Sequence, residues 1–208
     1  MRAIAMLTLV VSTCLSVAAY AEDKPPARVP LVPVDTDDPV LKPMFEDIIK
    51  RGGEPSNMHR AVGNASKLFK EYAEVAWTIR RESETPRQDI EIMIMRAAQL
   101  AGGDYEFKAH TGMAISCGLT QDQVDAFDSW KDSDLFNDRQ RSILAYADGL
   151  ADPDSVDQAT FDTLAQHFNP REIVELTITG NFYTAAARLT RALDIQMDPR
   201  LGTYGKCE

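Results

Sequence analysis

Apolar positions along the chain recur mostly at helical spacing, and no segment shows the apolar–polar alternation of a half-buried strand. Residues 57–81 contain no proline, and their apolar positions at helical spacing are Leu68, Tyr72, Val75 and Ile79. We expect this face to lie in the core. Residues 90–95 are apolar on nearly all sides, which indicates a buried helix. The pattern predicts an all-α bundle of about seven or eight helices joined by short loops.

Capping motifs mark where several of these helices begin. Thr85 with Gln88 and Thr120 with Gln123 have the spacing of capping boxes. Further helix starts are predicted at Asp104, Asn137, Asp157 and Pro170. The last of these helices is expected to run to about Leu193.

Two of these helix starts have similar sequences. Residues 169–176 align without gaps on residues 85–92, and the cap, the proline, the arginine and the later glutamate recur at an offset of 84. An internal helical duplication explains the match, and so does the capping chemistry that helix starts share. Both explanations stay open.

The first 21 residues are predicted to be a cleaved export signal. Arg2 precedes an apolar run, and Ala19-Tyr20-Ala21 gives the small-x-small pattern that a signal peptidase accepts. The run is too short for a good membrane span, and no later stretch reaches about 18 apolar residues. A lipoprotein signal ending at Cys14 is the alternative, but the preceding threonine fits it poorly. We expect a periplasmic or secreted protein, cleaved after Ala21.

The rest of the chain is predicted to have three parts. Residues 22–56 form a proline-rich arm and the segment that leads into the helices, and the six prolines between 22 and 43 favour irregular backbone. This arm is expected to lie over the surface or over a partner subunit. Residues 57–197 form the helical domain, and residues 198–208 form a C-terminal tail.

Charge and composition narrow the range of partners. The chain carries a formal net charge of −10, with 44% hydrophobic and 26% charged residues, which is ordinary for a soluble globular protein. It has no basic stripe, so nucleic-acid binding is excluded on electrostatic grounds. We expect a small-molecule substrate and no membrane span.

Two carboxylates and a histidine are the candidate catalytic groups. Glu91 lies in the apolar helix, where a carboxylate costs several kcal/mol unless it is paired with Arg87 or with a histidine on a neighbouring helix. Glu106 and His110 are four residues apart and share one helix face. The carboxylate can therefore orient or charge the imidazole, which is suited to proton transfer near neutral pH. Local polar pairs have the same spacing, so a structural role stays open for each of them.

The sequence supports cysteine or metal chemistry less strongly than acid/base chemistry. Cys117 and Cys207 have neither CxxC nor metal-knuckle spacing, and we expect two free thiols, although an oxidising compartment would allow a disulfide. A metal site using His59 or His167 would draw ligands from distant segments. No metal and no cofactor are expected.

Residues 87–120 carry a series of motifs. In order they are Arg87-x3-Glu91, Gly102-Gly103-Asp104-Tyr105-Glu106-Phe107-x2-His110 and Ala114-x3-Gly118-Leu119-Thr120. The series resembles the carboxymuconolactone decarboxylase family, and the likeness extends over about residues 57–197. The resemblance implies an all-α fold shared with the alkylhydroperoxidase D (AhpD)-type proteins. It also implies a homo-oligomer, a trimer or hexamer, with sites in helix-lined pockets.

The resemblance favours one chemical branch of that superfamily. The peroxidase branch has a glutamate, eleven residues and then Cys-x2-Cys-x3-His, but here Gly103 and Glu106 stand at the two cysteine positions between Glu91 and His110. A dithiol cycle cannot run there without those thiols. Glu106 and His110 match the Glu-x3-His of the decarboxylase branch, which implies that His110 moves protons while Glu106 fixes its tautomer.

We therefore expect an exported, carboxy-lyase-like enzyme that performs cofactor-independent acid/base chemistry on a small carbonyl or carboxylate compound. The expected catalytic residues are His110, Glu106 and Glu91. The expected substrate-binding residues are Tyr105, Tyr183 and Cys117. Two other functions stay open: a thiol-dependent antioxidant protein that uses Cys117, and a noncatalytic module that binds a small ligand.

Overall fold

The computed structural model describes residues 24–152, 154–199 and 207. Over these residues the chain forms nine α-helices, two short 3₁₀ helices and no strand. The α-helices are α1 (Leu41–Lys50), α2 (Asn57–Val62), α3 (Ser66–Arg81), α4 (Arg87–Leu100), α5 (Asp104–Ser116), α6 (Gln121–Asp125), α7 (Asp138–Ala151), α8 (Gln158–Ala165) and α9 (Pro170–Ala192). The all-α prediction is confirmed, with more helices than expected. The predicted signal peptide lies outside the described residues.

Helix α4 is the centre of the bundle and packs against α5, α7 and α9. Its side chains Ile90, Ile92, Met93, Ile94 and Met95 are fully buried, which confirms the buried helix predicted from the apolar run. A helix with neighbours on all sides needs apolar residues all round, so its sequence shows no amphipathic stripe. None of the helices in the described ranges is long and apolar enough to cross a membrane.

The predicted core face of residues 57–81 is wrong in two positions. Leu68 is 76% exposed and Val75 is 43% exposed, whereas Phe69 and Ile79 are buried. Phe69 packs against Leu41 and Phe45 of α1. Helix α1 lies within residues 22–56, the predicted arm and lead-in segment, and its packing selects the face of α3 that is buried. The predicted single helix is also interrupted by the 3₁₀ turn Gly63–Ala65.

The capping predictions mostly hold. Thr120 and Gln123 form a reciprocal capping box at α6, but Thr85 and Gln88 do not cap α4, whose N-cap residue is Pro86. The hydroxyl and the backbone N–H of Thr85 instead donate to Glu175 on α9, at 2.7 and 2.9 Å. A carboxylate from another helix accepts the hydrogen bonds, and the local cap is lost.

The two similar helix starts also share an ion pair. Arg87 and Glu91 on α4 form an i, i+4 pair, and so do Arg171 and Glu175 on α9. The first pair is buried, whereas Arg171 is exposed. The internal duplication stays a prediction.

The proline-rich arm lies along the surface of its own chain, which is one of the two predicted positions. The N–H of Arg28 donates to the carbonyl of Leu193 at 2.7 Å, and the N–H of Gln196 donates to the carbonyl of Pro26 at 2.8 Å. Arm and C-terminal segment together cover Tyr105 at the start of α5. This packing fixes one end of the site described next.

Candidate functional site

A cavity of about 190 Å³ lies between α2, α3, α5 and α9. Most of its wall is apolar or aromatic, and that part includes Met58, Phe69, Tyr72, Met113 and Phe182. Its charged or hydrogen-bonding side chains include His59, Arg80, Arg87, Tyr105, Glu106, His110 and Tyr183. Four of the predicted site residues therefore line one cavity: His110, Glu106, Tyr105 and Tyr183.

Glu91 lies behind His110 rather than in the cavity wall. It is 0% exposed, and its Oε2 is 2.8 Å from His110 Nδ1. Since a carboxylate only accepts hydrogen bonds, this contact assigns the proton to Nδ1 and leaves a lone pair on Nε2 when the ring is neutral. Nε2 is on the far side of the ring from Glu91, near Glu106.

Arg87 holds the other oxygen of Glu91. Its Nε and Nη2 donate to Oε1 at 2.8 and 2.6 Å, and its Nη1 donates to the carbonyl of Arg80 at 2.8 Å. Burial by itself would raise the pKa of Glu91, but His110 and Arg87 together hold that pKa below its usual value. Glu91 is therefore an ionised carboxylate that positions the imidazole. Both partners suggested by the sequence are present.

Glu106 has the opposite environment. Its side chain is 7% exposed, and within the described part of the chain its carboxylate accepts no hydrogen bond. Its Oε2 lies 4.0 Å from His110 Nε2. Burial raises the pKa of Glu106 above its usual value, although His110 and Arg80 oppose this. The expectation that Glu106 fixes the imidazole tautomer is wrong, because Glu91 makes that hydrogen bond.

Two tyrosines complete the polar wall. The ring of Tyr183 meets the edge of His110, with the ring centroids 4.9 Å apart. The hydroxyl of Tyr105 donates to Asp198 at 3.1 Å, whereas that of Tyr183 has no hydrogen-bond partner among the described residues. Burial raises the pKa of both phenols, so both stay protonated at neutral pH.

Cys117 is not in the cavity wall and is not a free thiol, so both expectations for it are wrong. It forms a disulfide with Cys207, and their Cα atoms are 4.9 Å apart. The N–H of Cys207 donates to Ser116 Oγ at 2.9 Å, which holds Cys207 beside the end of α5. The sequence left a disulfide open but favoured free thiols, because two cysteines 90 residues apart form no local spacing motif.

Arg80 and His59 line the cavity, but the predicted site residues do not include Arg80, and His59 is predicted only as a candidate metal ligand. The signal for Arg80 is the helical spacing of one face of α3, formed by Phe69, Tyr72, Ala73, Ala76 and Arg80, all of which line the cavity. His59 could be found from Ser56, which caps α2 in a capping box with His59 as its third residue. No cluster of three or more metal-ligating side chains occurs within the described ranges.

Gly103, at the first of the two dithiol positions, is under steric constraint. A Cβ atom there would lie 2.3 Å from the Cβ of Ala187 on α9. A cysteine at position 103 would therefore require α9 to move, so the missing dithiol is also a packing property of this bundle.

Comparison with known sequences supports the motif resemblance. Residues 66–149, which carry Glu91, Glu106 and His110, match the Carboxymuconolactone decarboxylase family. The uncharacterized protein YnjA of Escherichia coli (strain K12) is 35% identical over 77 residues, which are 36% of this chain. The chain spans 42% of the length of that relative.

Comparison with solved structures shows the fold. An uncharacterized peroxidase-related protein from Silicibacter sp. TM1040 matches with a TM-score of 0.74 at 16% identity, over 90% of this chain and 98% of that one. An AhpD-core protein from Ralstonia eutropha JMP134 matches with a TM-score of 0.72 at 18% identity, over 88% and 100%. The debrominase Bmp8 matches with a TM-score of 0.66 at 21% identity, over 78% and 88%. Residues 66–149 therefore resemble the carboxymuconolactone decarboxylase family, and the solved structures show that the chain has an AhpD-like helical fold.

Proposed function

We propose that the cavity catalyses proton transfer on a small carbonyl or carboxylate compound without a cofactor, and that decarboxylation is the reaction. One observation carries the proposal. His110 Nδ1 is held at 2.8 Å by the buried Glu91, so that Nε2 is left beside Glu106 at the cavity. An imidazole with one nitrogen fixed by a carboxylate and the other available to a substrate is a recurrent arrangement for general acid/base catalysis.

The roles follow from the opposite environments of the two carboxylates. Glu91 is ionised and buried, so it places a negative charge beside Nδ1 when His110 carries a second proton during the reaction. Glu106 has a raised pKa, so a larger fraction of it is protonated, and as a carboxylic acid it can donate a hydrogen bond. Two carboxylates whose pKa values are displaced in opposite directions suit one charged role and one neutral role.

A decarboxylation at this site uses these groups in sequence. The bond between the carboxylate and the substrate carbon breaks, carbon dioxide leaves, and the electron pair moves into the adjacent carbonyl to form an enolate. The carboxylic acid of Glu106 hydrogen bonds the enolate oxygen. Protonated His110 then transfers the proton on Nε2 to the enolate or dienolate, and solvent restores that proton. The Tyr183 hydroxyl is a second neutral donor at the same wall.

The test is carbon dioxide release by the purified protein from a panel of carboxylated lactones and β-keto acids. The His110→Ala variant should lose release by about 100-fold or more, the size of a general acid/base contribution. His167→Ala is the matched control, since His167 does not line the cavity. Equal release by wild type and His110→Ala would overturn the role of His110. Absence of release from every compound would overturn decarboxylation.

We also propose that the protein functions outside the cytoplasm as a homo-oligomer. The signal-like residues 1–21 and the Cys117–Cys207 disulfide support export. Exposed apolar side chains on α3 and α9, among them Leu68 and Val174, support association. Cell fractionation with intact-mass analysis should find a chain that begins at Glu22, and light scattering should find a trimer or hexamer. A full-length cytoplasmic chain or a monomer would contradict the respective proposal.

A further inference from the structure

We infer that Arg80 and His59 form an anion subsite in this cavity, which holds a carboxylate that the substrate keeps throughout the reaction. The inference deepens the proposed function, since it names the substrate class for the same site. That class is an acid with a flat, unsaturated or aromatic body, a carboxylate at one end and the reacting group at the other.

Arg80 is a cation in a mostly apolar cavity with spare hydrogen-bonding capacity. Its Nε donates to the carbonyl of Ala76 at 2.9 Å, which anchors the guanidinium to its own helix. Arg80 lines the cavity. Among the described residues, its two Nη atoms have no hydrogen-bond acceptor and its guanidinium makes no ion pair. A partly buried guanidinium without a counter-ion is costly, and a bound carboxylate would offset that cost with two parallel hydrogen bonds.

The carboxylate of Glu106 is a poor counter-ion for Arg80. It makes no hydrogen bond with Arg80, and burial raises its pKa. The other nearby acid, Glu91, is occupied by Arg87 and His110. The charge of Arg80 therefore has no dedicated partner within the described protein.

His59 supplies a neutral donor to the same cavity. The N–H of Ser56 donates to His59 Nδ1 at 3.0 Å, so Nδ1 is the acceptor and the proton is on Nε2. Burial, and then the charge of Arg80, lower the pKa of His59 to about 4, so the ring is neutral at pH 7. Nε2–H has no acceptor among the described residues. A carboxylate that accepts from Arg80 and from His59 Nε2–H would satisfy both donors.

The remaining wall and the volume restrict the body of the ligand. The rings of Tyr72 and Phe182 lie 4.6 Å apart, centroid to centroid, and Phe69 and Tyr183 add two more aromatic surfaces. A volume of about 190 Å³ is below the roughly 300–1,000 Å³ of pockets for drug-sized ligands. The cavity therefore suits one flat ring or a short conjugated chain, which stacks against these aromatic side chains.

The subsite also orients the reaction. A guanidinium stabilises the carboxylate it binds, so it opposes loss of that carboxylate as carbon dioxide. The carboxylate at Arg80 is therefore the one that the substrate keeps, and the reacting group lies near His110 and Glu106. A simple benzoate can fill the Arg80 end without reacting, which makes it a probe of the subsite alone.

The test measures binding by calorimetry or ligand-observed NMR, without turnover. Wild type should bind benzoate at least about tenfold more tightly than the neutral benzamide, because only benzoate gains charge-assisted hydrogen bonds. Arg80→Gln should lose about 10- to 100-fold in benzoate affinity, and Arg80→Lys should lose less, since it keeps the charge but not the planar fork. Arg81→Gln is the matched control, because Arg81 is the adjacent arginine and does not line the cavity.

His59→Gln tests the second donor. Glutamine is a preferred residue at the third position of a capping box, so this variant keeps the start of α2 and removes the ring N–H. Its benzoate affinity should fall about tenfold with an unchanged melting temperature. An affinity equal to that of wild type would remove His59 from the subsite.

Several outcomes would overturn the subsite: no benzoate binding by wild type, equal binding of benzoate and benzamide, or equal losses in Arg80→Gln and Arg81→Gln. The comparison of ligands on wild type decides the matter even where a variant folds poorly. Failure of the subsite leaves carbon dioxide release by wild type intact. Failure of the proposed reaction leaves the binding difference intact, so the two failures are distinguishable.

Discussion

Replacing Glu91 by glutamine tests the centre of the site, because it removes one charge and hardly changes volume. In the folded protein Glu91 is fully buried, accepts two hydrogen bonds from Arg87 at 2.8 and 2.6 Å, and contacts His110 Nδ1 at 2.8 Å. The glutamine amide keeps one acceptor oxygen. Arg87, whose side chain is 14% exposed, is then left as a nearly buried cation without a carboxylate.

The magnitude follows from that unpaired cation. Removing one partner of a buried ion pair costs about 3–5 kcal/mol, and the remaining amide oxygen places Glu91→Gln near the lower end. A domain of this size shifts its melting temperature by about 2–4 °C per kcal/mol. Glu91→Gln should therefore melt about 6–12 °C below wild type at pH 7. Carbon dioxide release should also fall, by about 100-fold or more, because the imidazolium loses its counter-charge.

The pKa of Glu91 predicts how its contribution to stability changes with pH. The pKa of Glu91 in the folded state lies below the usual 4.5, so its contribution to the free energy of unfolding is present above about pH 4.5 and is lost as the pH falls through the folded-state pKa. The difference between wild type and Glu91→Gln should therefore shrink below that pH.

Glu106→Gln is the matched control on the other side of His110, and the expected change in stability has the opposite sign. The pKa of Glu106 is raised in the folded state, so its contribution is present below the usual 4.5 and is lost as the pH rises through the raised pKa. Glu106→Gln should then be as stable as wild type or more stable at pH 7.

The assay is urea unfolding of wild type and both variants at pH 4 and pH 7, followed by circular dichroism. Two results would refute the reasoning. One is a loss below about 1 kcal/mol for Glu91→Gln at pH 7, which is less than a broken buried ion pair should cost. The other is equal destabilisation by Glu91→Gln and Glu106→Gln, which would mean that the two carboxylates do not differ in ionisation.

Three further changes test other parts of the structure. Tyr183→Phe should lower turnover about tenfold or more with a nearly unchanged melting temperature, because the hydroxyl bonds no described residue; unchanged kinetics would remove it from the reaction. Gly103→Ala should lower the free energy of unfolding in urea by about 1–3 kcal/mol, since its Cβ would lie 2.3 Å from that of Ala187. Adding Ala187→Gly should recover part of this loss. An unchanged urea midpoint for Gly103→Ala would show that α9 adjusts freely. Reduction of the disulfide, or Cys207→Ser, should lower the free energy of unfolding, measured with a chemical denaturant, by about 2–4 kcal/mol. Two thiols that react with a thiol reagent in the untreated native protein would contradict the pairing.

Local features were predictable where a short stretch of chain decides them. The capping box of Thr120 and Gln123 and the buried run around Met93 depend on residues within two turns, and the structure confirms them. The cap predicted at Thr85 failed because Glu175, 90 residues later, takes its hydrogen bonds. A competing partner from a distant segment leaves no trace in the local pattern.

The candidate site likewise combines a feature that the local sequence predicts with one that depends on how the helices pack. Glu106 and His110 are four residues apart on one helix, so their shared face follows from helix periodicity. The sequence suggested a histidine on a neighbouring helix as a partner of Glu91, but which histidine it is depends on how α4 packs against α5.

Helical spacing and capping act over a few residues, so the local sequence predicts that the chain forms helices, where most of them begin and which one is buried. Local patterns do not predict which face of α3 is buried, that Cys117 meets Cys207 or that Arg80 reaches the cavity. Those outcomes depend on which helices meet, and a carboxylate, thiol or guanidinium takes its chemistry from the burial and the charges that this packing brings to it.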